Sequence, residues 1–372
     1  MLTVLSVIGT RPEAIKMAPV IRALERHPDR IRSVVCVTGQ HRQMLDQALD
    51  LFAIRPDYDL NLMTPDQTLS GLTASLLRGL DPVLGDIRPN WVLAQGDTTT
   101  VMASALVSFY HHTPFGHVEA GLRTGNRYSP FPEEVNRRIA DHLAELYFAP
   151  TERSRQTLLN EGVPADRIRV TGNTVIDALL EMAACPYDWS AGPLCDVPRD
   201  GRLVLITVHR RENFATMDEI CGAIRDLATR FSGQDVHLVY PVHLNPNIRR
   251  PVAASLQGLS NVSLIEPLDY LSMVHLIKRA TLILTDSGGI QEEAPGLGVP
   301  VLVLRDTTER PEGIDAGIVR LVGTCRRRIV EEADRLLANS DVRAAMTVRA
   351  NPYGDGRAAE RIVTALLNRE GG

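Results

Sequence analysis

A chain of 372 residues, 44% hydrophobic and 23% charged, has enough material for two ordinary globular domains. Its net charge of −5 and the absence of a basic tail argue against general nucleic-acid binding, and no stretch approaches the ~18 apolar residues of a membrane span. The cysteines (Cys36, Cys185, Cys195, Cys221, Cys325) form no C-x-x-C pair and no zinc spacing, so they read as reduced thiols of a cytoplasmic protein without a metal site.

Short apolar runs alternate with longer helical patterns from the first residue onward. The opening run ends at Ile8 and lacks the basic flank and cleavage site of a signal peptide, so a buried first strand is expected. Strands are expected at 3–8, 33–38, 91–94, 146–149, 203–207, 237–240, 263–265, 281–284 and 301–304. Continuous apolar runs bounded by Gly, Pro or Asp are the signature of buried parallel strands. Their alternation with helices implies βαβ units and open parallel sheets. The pattern weakens between 181 and 202, where Pro, Gly and Asp accumulate as in a linker. Two α/β domains follow, 1–175 and 176–355, with a final amphipathic helix at about 356–372 that packs back on the first.

The most informative stretch lies at 116–138, GHVEAGLRTGNRYSPFPEEVNRR, where carboxylates and guanidiniums stand among Gly, Pro and aromatic residues. Gly121, Gly125, Pro130 and Pro132 keep it from being one regular helix. Carboxylates and guanidiniums crowded on a loop point to a site that handles anions and moves protons, against the alternative of a structural ion-pair network.

Other candidates stand at strand ends. Gly9-Thr10-Arg11-Pro12-Glu13-Ala14-Ile15-Lys16 follows the first strand and places Arg11 and Lys16 near a helix N-terminus, which attracts anions. A plain turn with Pro12 at the first helical position is the alternative. Asp97 ends another strand at the same sheet edge and is either a functional acid or a helix cap. In Asp286-Ser287-Gly288-Gly289, small residues let backbone N–H groups approach a diphosphate, and Glu293 one turn later suits ribose hydroxyls. His209, beside Arg210 and Arg211, is an acid/base or phosphate candidate; His243 is a weaker one. His41, with Gln40, Arg42 and Gln43, suits sugar hydroxyls or a helix cap. Gly354-Asp355-Gly356-Arg357-Ala358-Ala359 matches a dinucleotide fingerprint but follows no strand, so it reads as a turn into the last helix and no nicotinamide site is expected.

Together, GTRPEAIKMAP, TGQHRQMLDQ, GDTTT, GHVEAGLRTG, PEEVNRR, TGNTVIDALL, HRREN, YPVHLNPN, LTDSGGIQEEAP, RDTTERPE and NPYGDG resemble the non-hydrolysing UDP-N-acetylglucosamine 2-epimerases, collinearly over nearly the whole chain. The resemblance implies the GT-B architecture, two Rossmann-like doubly wound parallel-sheet domains with the active site in the cleft, as a homodimer. It implies interconversion of UDP-GlcNAc and UDP-ManNAc without a cofactor, by elimination of UDP through 2-acetamidoglucal, for bacterial surface polysaccharide synthesis. By the same resemblance, Asp97, Glu119, Glu133 and His209 are the acid/base and leaving-group residues. Arg11, Lys16 and Arg137 hold phosphate or orient the carboxylates. Ser287, Gly288, Gly289, Glu293 and Arg310 bind diphosphate and ribose. Gln40, Gln43, Glu133, Arg210 and His243 resemble a second, activating UDP-GlcNAc site. Two positions depart from some relatives: Met273 replaces an aromatic that stacks on uracil, and Asp66 replaces a basic residue. The competing readings are an epimerase of a diacetamido-uronate sugar nucleotide, a GT-B glycosyltransferase and a catalytically inert sugar-nucleotide sensor.

Overall fold

The computed structural model describes residues 1–39, 42–62, 64, 67–347 and 350–369, with the backbone alone at 42–44. The chain divides into two compact units, Met1–Ala178 with Tyr353–Gly372, and Leu179–Pro352.

The first unit is built on seven strands: β1 (Leu2–Ile8), β2 (Ile31–Val37), β3 (Tyr58–Asp59), β4 (Trp91–Gln95), β5 (Phe115–Val118), β6 (Leu146–Ala149) and β7 (Ile168–Val170). They form one sheet in the order β3-β2-β1-β4-β5-β6-β7, parallel throughout. In the second unit β8 (Arg202–Thr207), β9 (Val236–Pro241), β10 (Val262–Ile265), β11 (Leu282–Thr285), β12 (Val301–Val303) and β13 (Val319–Leu321) form a six-stranded parallel sheet ordered β10-β9-β8-β11-β12-β13. Each unit is Rossmann-like, as the GT-B type of fold requires.

Parallel strands covered on both faces need apolar side chains pointing both ways. Val4, Leu5, Val7 and Ile8 of β1, and Leu203, Val204, Leu205 and Ile206 of β8, are buried. Each such side chain contributes roughly 1.5–3 kcal/mol through burial. Strand order reverses at β1/β4 in the first sheet and at β8/β11 in the second. The carboxyl ends flanking such a switch point form the ligand crevice of open α/β sheets. Gly9 and Asp97 lie at the first, His209 and Asp286 at the second.

The structure revises two sequence expectations. Residues 116–138 are not one loop: Gly116, His117 and Val118 belong to β5, and Glu133–Leu143 is a helix. Two small or polar residues in a four-residue strand leave no apolar run to detect. The segment expected as a linker carries Leu194 and Val197, both buried, into the core that includes Leu203 and Leu205. At the other end, Ala358–Asn368 is a helix whose first N–H groups, from Ala358 and Ala359, donate to the Asp177 carboxylate at 3.2 and 2.9 Å.

Candidate active site

Glu119 follows β5 directly and sits in the left-handed region at φ 70°, which costs a non-glycine residue about 1–3 kcal/mol and is held only where the surroundings demand it. Here they do. Lys16 Nζ donates to both carboxylate oxygens at 2.8 and 2.9 Å, Asn173 Nδ2 donates to Oε1 at 2.9 Å, and Gln95 Nε2 donates to Oε2. Lys16 arrives from helix Arg11–Glu25, Gln95 from β4, and Asn173 from the residues after β7. The result is a largely buried carboxylate in a fixed cradle of donors.

Asp97 stands at the neighbouring strand end and forms an ion pair with Arg137. The next helix, Thr99–Tyr110, is capped by Thr98, whose hydroxyl accepts from Val101 N. Asp97 is therefore not spent as a cap. Its own carbonyl accepts from Asn136 Nδ2 at 3.0 Å. Arg137 also reaches Glu134 at 3.4 Å, so one guanidinium ties the helix Glu133–Leu143 to Asp97. Glu133 opens that helix, half-buried, and Arg11 opens its own helix, also half-buried.

Other charges of 116–138 hold the backbone. Fully buried Glu134 accepts from Thr124 N and Gly125 N at 3.1 and 3.3 Å. Arg123 bridges Asp141 and Glu161 at 2.7 and 2.6 Å. Among the site's neighbours, the sequence offered no sign of Gln95, Asn136, Asn173 or Glu13. Glu13, fully buried, has its pKa raised from 4.5 to about 7 by burial, against hydrogen bonds from Thr98, Gly9 and Thr10 and with added repulsion from Asp97. The available signal was position: Gln95, Asn173 and Glu13 lie at or a few residues beyond the carboxyl end of a strand in the first sheet, and Asn136 directly precedes Arg137.

In the second unit, buried Asp286 organises the strand ends. Its carboxylate accepts from His209 N at 3.0 Å, Arg210 N at 2.8 Å and Asn213 Nδ2 at 3.0 Å. The His209 ring lies over the His243 ring, centroids 6.0 Å apart. Burial pushes the His209 pKa below its usual value; Asp286 opposes this, while Arg210 and His243 add to it. Ser287 stands at the N-cap of helix Gly288–Gly296 and makes no side-chain bond to it. A Cβ at Gly288 would meet the Arg210 guanidinium at 3.4 Å, which puts that cation at the helix N-terminus. Glu293, one turn in, accepts from Tyr270 Oη at 2.9 Å. Arg310 is paired with Glu292. Met273 packs half-buried against the core around Leu276 and Ile277. Of the residues expected at a second site, Gln40 and the Gln43 side chain lie outside the described residues, as do His41 and Asp66; Arg210 and His243 accompany His209.

Each unit thus presents one sheet edge with distinct chemistry: carboxylates paired with cations at the first, a glycine-rich helix start beside Arg210 and His209 at the second. A family model described as UDP-N-acetylglucosamine 2-epimerase matches residues 22–367. A UDP-N-acetylglucosamine 2-epimerase of Escherichia coli K12 is 54% identical, covering 98% of either chain, and one of Bacillus subtilis is 50% identical over 98% of this chain and 95% of its own. The crystal structure of a UDP-GlcNAc 2-epimerase from Neisseria meningitidis, bound to UDP-GlcNAc, superposes with a TM-score of 0.86 at 47% identity, over 99% of this chain and 100% of that one. The chain belongs to the UDP-N-acetylglucosamine 2-epimerase family.

Proposed function

We propose that this protein interconverts UDP-GlcNAc and UDP-ManNAc at C2 without a redox cofactor. The C2 proton is not next to a carbonyl, so removing it directly is very slow. Breaking the C1–O bond first, with its electron pair leaving on UDP, gives C1 oxocarbenium character that acidifies C2–H. A carboxylate takes that proton, the C1–C2 double bond forms, and 2-acetamidoglucal results. Re-addition of UDP at C1 with a proton delivered to the opposite face of C2 completes the inversion. Such a path needs acid/base groups on both faces and a firm hold on the departing diphosphate.

The observation that carries this reading is the pair of carboxylates Asp97 and Glu119 at neighbouring strand ends, each held by a cation, in a chain of an epimerase family. They, with Glu133, are assigned to the proton transfers at C2. Arg11, Lys16 and Arg137 orient the carboxylates or phosphates. Ser287, Gly288, Gly289 and Arg210 take the diphosphate, His209 stands at the leaving group, Glu293 binds ribose, and Met273 contacts uracil through its sulfur. Arg310 acts by fixing Glu292. The homodimer expected from the resemblance is supported by the exposed apolar side chains Phe109, Tyr110 and Ile139. Work in the cytoplasm on precursors of surface polysaccharide completes the reading, and the free thiols suit a reducing compartment.

Incubation with UDP-GlcNAc in D2O is expected to place deuterium at C2 and to form UDP-ManNAc without added NAD. Asp97→Asn and Glu119→Gln are each expected to lower kcat by about 10²–10⁴-fold, the worth of a positioned acid or base. No exchange at C2 sinks the proposal, and free UDP with ManNAc as main products points to hydrolysis instead.

A further inference from the structure

His117, on β5 two residues before Glu119, has no role in the chemistry above, yet it is completely buried. Its Nδ1 lies 2.6 Å from Asp141 Oδ1 and its Nε2 lies 2.7 Å from the Gly96 carbonyl oxygen. A carbonyl oxygen only accepts, so Nε2 carries a hydrogen. Asp141 faces further donors: Gly121 N at 3.2 Å and Arg123 Nη2 at 2.7 Å. It is therefore an acceptor towards Nδ1 as well. With acceptors at both nitrogens, the ring is an imidazolium. A neutral ring would set a lone pair against one of two oxygens inside 3 Å at a site closed off from the surface.

The surrounding charges balance. Arg123 adds a second positive charge, and Glu161, 2.6 Å from Arg123, a second negative one. Tyr147 on β6 faces Asp141 as a neutral phenol, pushed up to about 12 by burial and by that carboxylate. Burial pulls the His117 pKa down, but the charge and hydrogen bond of Asp141, with the Gly96 carbonyl, outweigh it and Arg123, and hold it above its usual value.

His117 and Asp141 touch the backbone at Gly96 and at Gly121, and both adjoin the site. The Gly96 carbonyl is half of the Gly96–Asp97 peptide, and Gly96 N donates to Val118 O at 3.0 Å, so β5 holds this turn from both sides. Gly121 N belongs to the turn that follows Glu119. We propose that His117 and Asp141 are positioning residues: a buried imidazolium–carboxylate pair that clamps the Gly96–Asp97 peptide to the Glu119 turn and so fixes the spacing of the two carboxylates. The inference rests on the assignment of Asp97 and Glu119 to the epimerisation.

The test combines kinetics with the ring's own signal. His117→Gln supplies hydrogen bonds to one acceptor at most and no charge; Asp141→Asn removes the opposite charge at constant size. Each is expected to lower kcat by about 10²-fold, the scale of a small misplacement of reacting groups, with KM for UDP-GlcNAc changed by less than about threefold, since the proposed UDP-binding residues are untouched. In the 15N-histidine-labelled unsubstituted protein, the resonance pair missing from the His117→Gln spectrum is expected to report two protonated nitrogens at pH 7.5. One unprotonated nitrogen overturns the inference. So does a lower melting temperature with kcat within about threefold of the unsubstituted chain, which is the outcome of a purely structural pair. If His117→Gln does not fold, Asp141→Asn kinetics decide. Failure of the unsubstituted protein to exchange deuterium at C2 removes the proposed reaction itself, an outcome separate from loss of turnover in the variants alone.

Discussion

Glu13 is a carboxyl with much of its binding capacity spent on the turn it caps: Thr10 N donates to Oε2 at 3.0 Å, and Oε1 is buried without a hydrogen-bond partner among the described residues. Removal from water disfavours its charged form most, and its pKa rises from 4.5 to about 7. Because the folded value lies above the unfolded one, the native state binds more protons between those two pH values. Its stabilising contribution is therefore complete below about pH 4.5 and is lost as pH rises towards 7. The shift corresponds to roughly 3 kcal/mol at most. Glu13→Gln keeps an acceptor for the Gly9 and Thr10 N–H groups and cannot ionise. Denaturation of both proteins at pH 5 and pH 8 is expected to show the variant gaining up to about 3 kcal/mol relative to the parent across that interval. A difference independent of pH would mean that Glu13 is already ionised when buried.

At the scale of elements, the turn after β5 decides whether Glu119 keeps its place. Gly121 has φ 87°, and a Cβ there would overlap the Ser154 carbonyl oxygen and come within 2.9 Å of Leu158 Cγ. Gly125, at φ 79°, has nothing within 4 Å of such an atom. Gly121→Ala is thus expected to cost about 3 kcal/mol, from left-handed strain plus a clash with backbone that cannot yield, and Gly125→Ala only about 1 kcal/mol from strain alone. Chemical denaturation of the two variants checks this; equal losses would show that the close approach to Ser154 is not what requires glycine. The contrast also marks what sequence reveals. Apolar runs exposed β1, β2, β4, β6, β8, β9, β10, β11 and β12, because strands packed between helices need an apolar composition. It gave no access to β5, whose Gly116 and His117 are dictated by packing and by the Gly96 carbonyl. Asp97, Glu119 and the DSGG segment stood out as candidates in the sequence through charge or paired glycines placed after an apolar run or within a charged loop. Their partners Gln95, Asn136, Asn173 and Asp141 are ordinary polar residues. Only the three-dimensional meeting of elements 24 residues apart or more, as between Gln95 and Glu119, gives them meaning.

For the whole molecule, the apolar surface of the first unit bears on assembly. Phe109 and Tyr110 end one helix exposed, Ile139 is exposed on another, and Tyr128 and Phe131 are exposed between them. A groove of ≈ 920 Å³ lined by Leu106, Tyr128, Val135, Ile139 and Leu143 runs along this face. Monomers rarely leave so many aromatic and aliphatic groups together in water, and a stable dimer needs about 800 Å² buried per partner. Sedimentation is expected to give about twice the 40.9 kDa chain mass, and Phe109→Glu combined with Ile139→Glu is expected to give the single-chain mass at micromolar concentration with an unchanged circular dichroism spectrum. Turnover should fall with dimerisation, for a local reason. Gly125 and Tyr128 border the groove, Gly125 is tied to Glu134, Glu134 to Arg137, and Arg137 to Asp97. Loosening the groove wall releases the guanidinium that holds Asp97. A monomeric variant with undiminished kcat would cut that chain, and an unsubstituted protein that sediments as a monomer would remove the dimer.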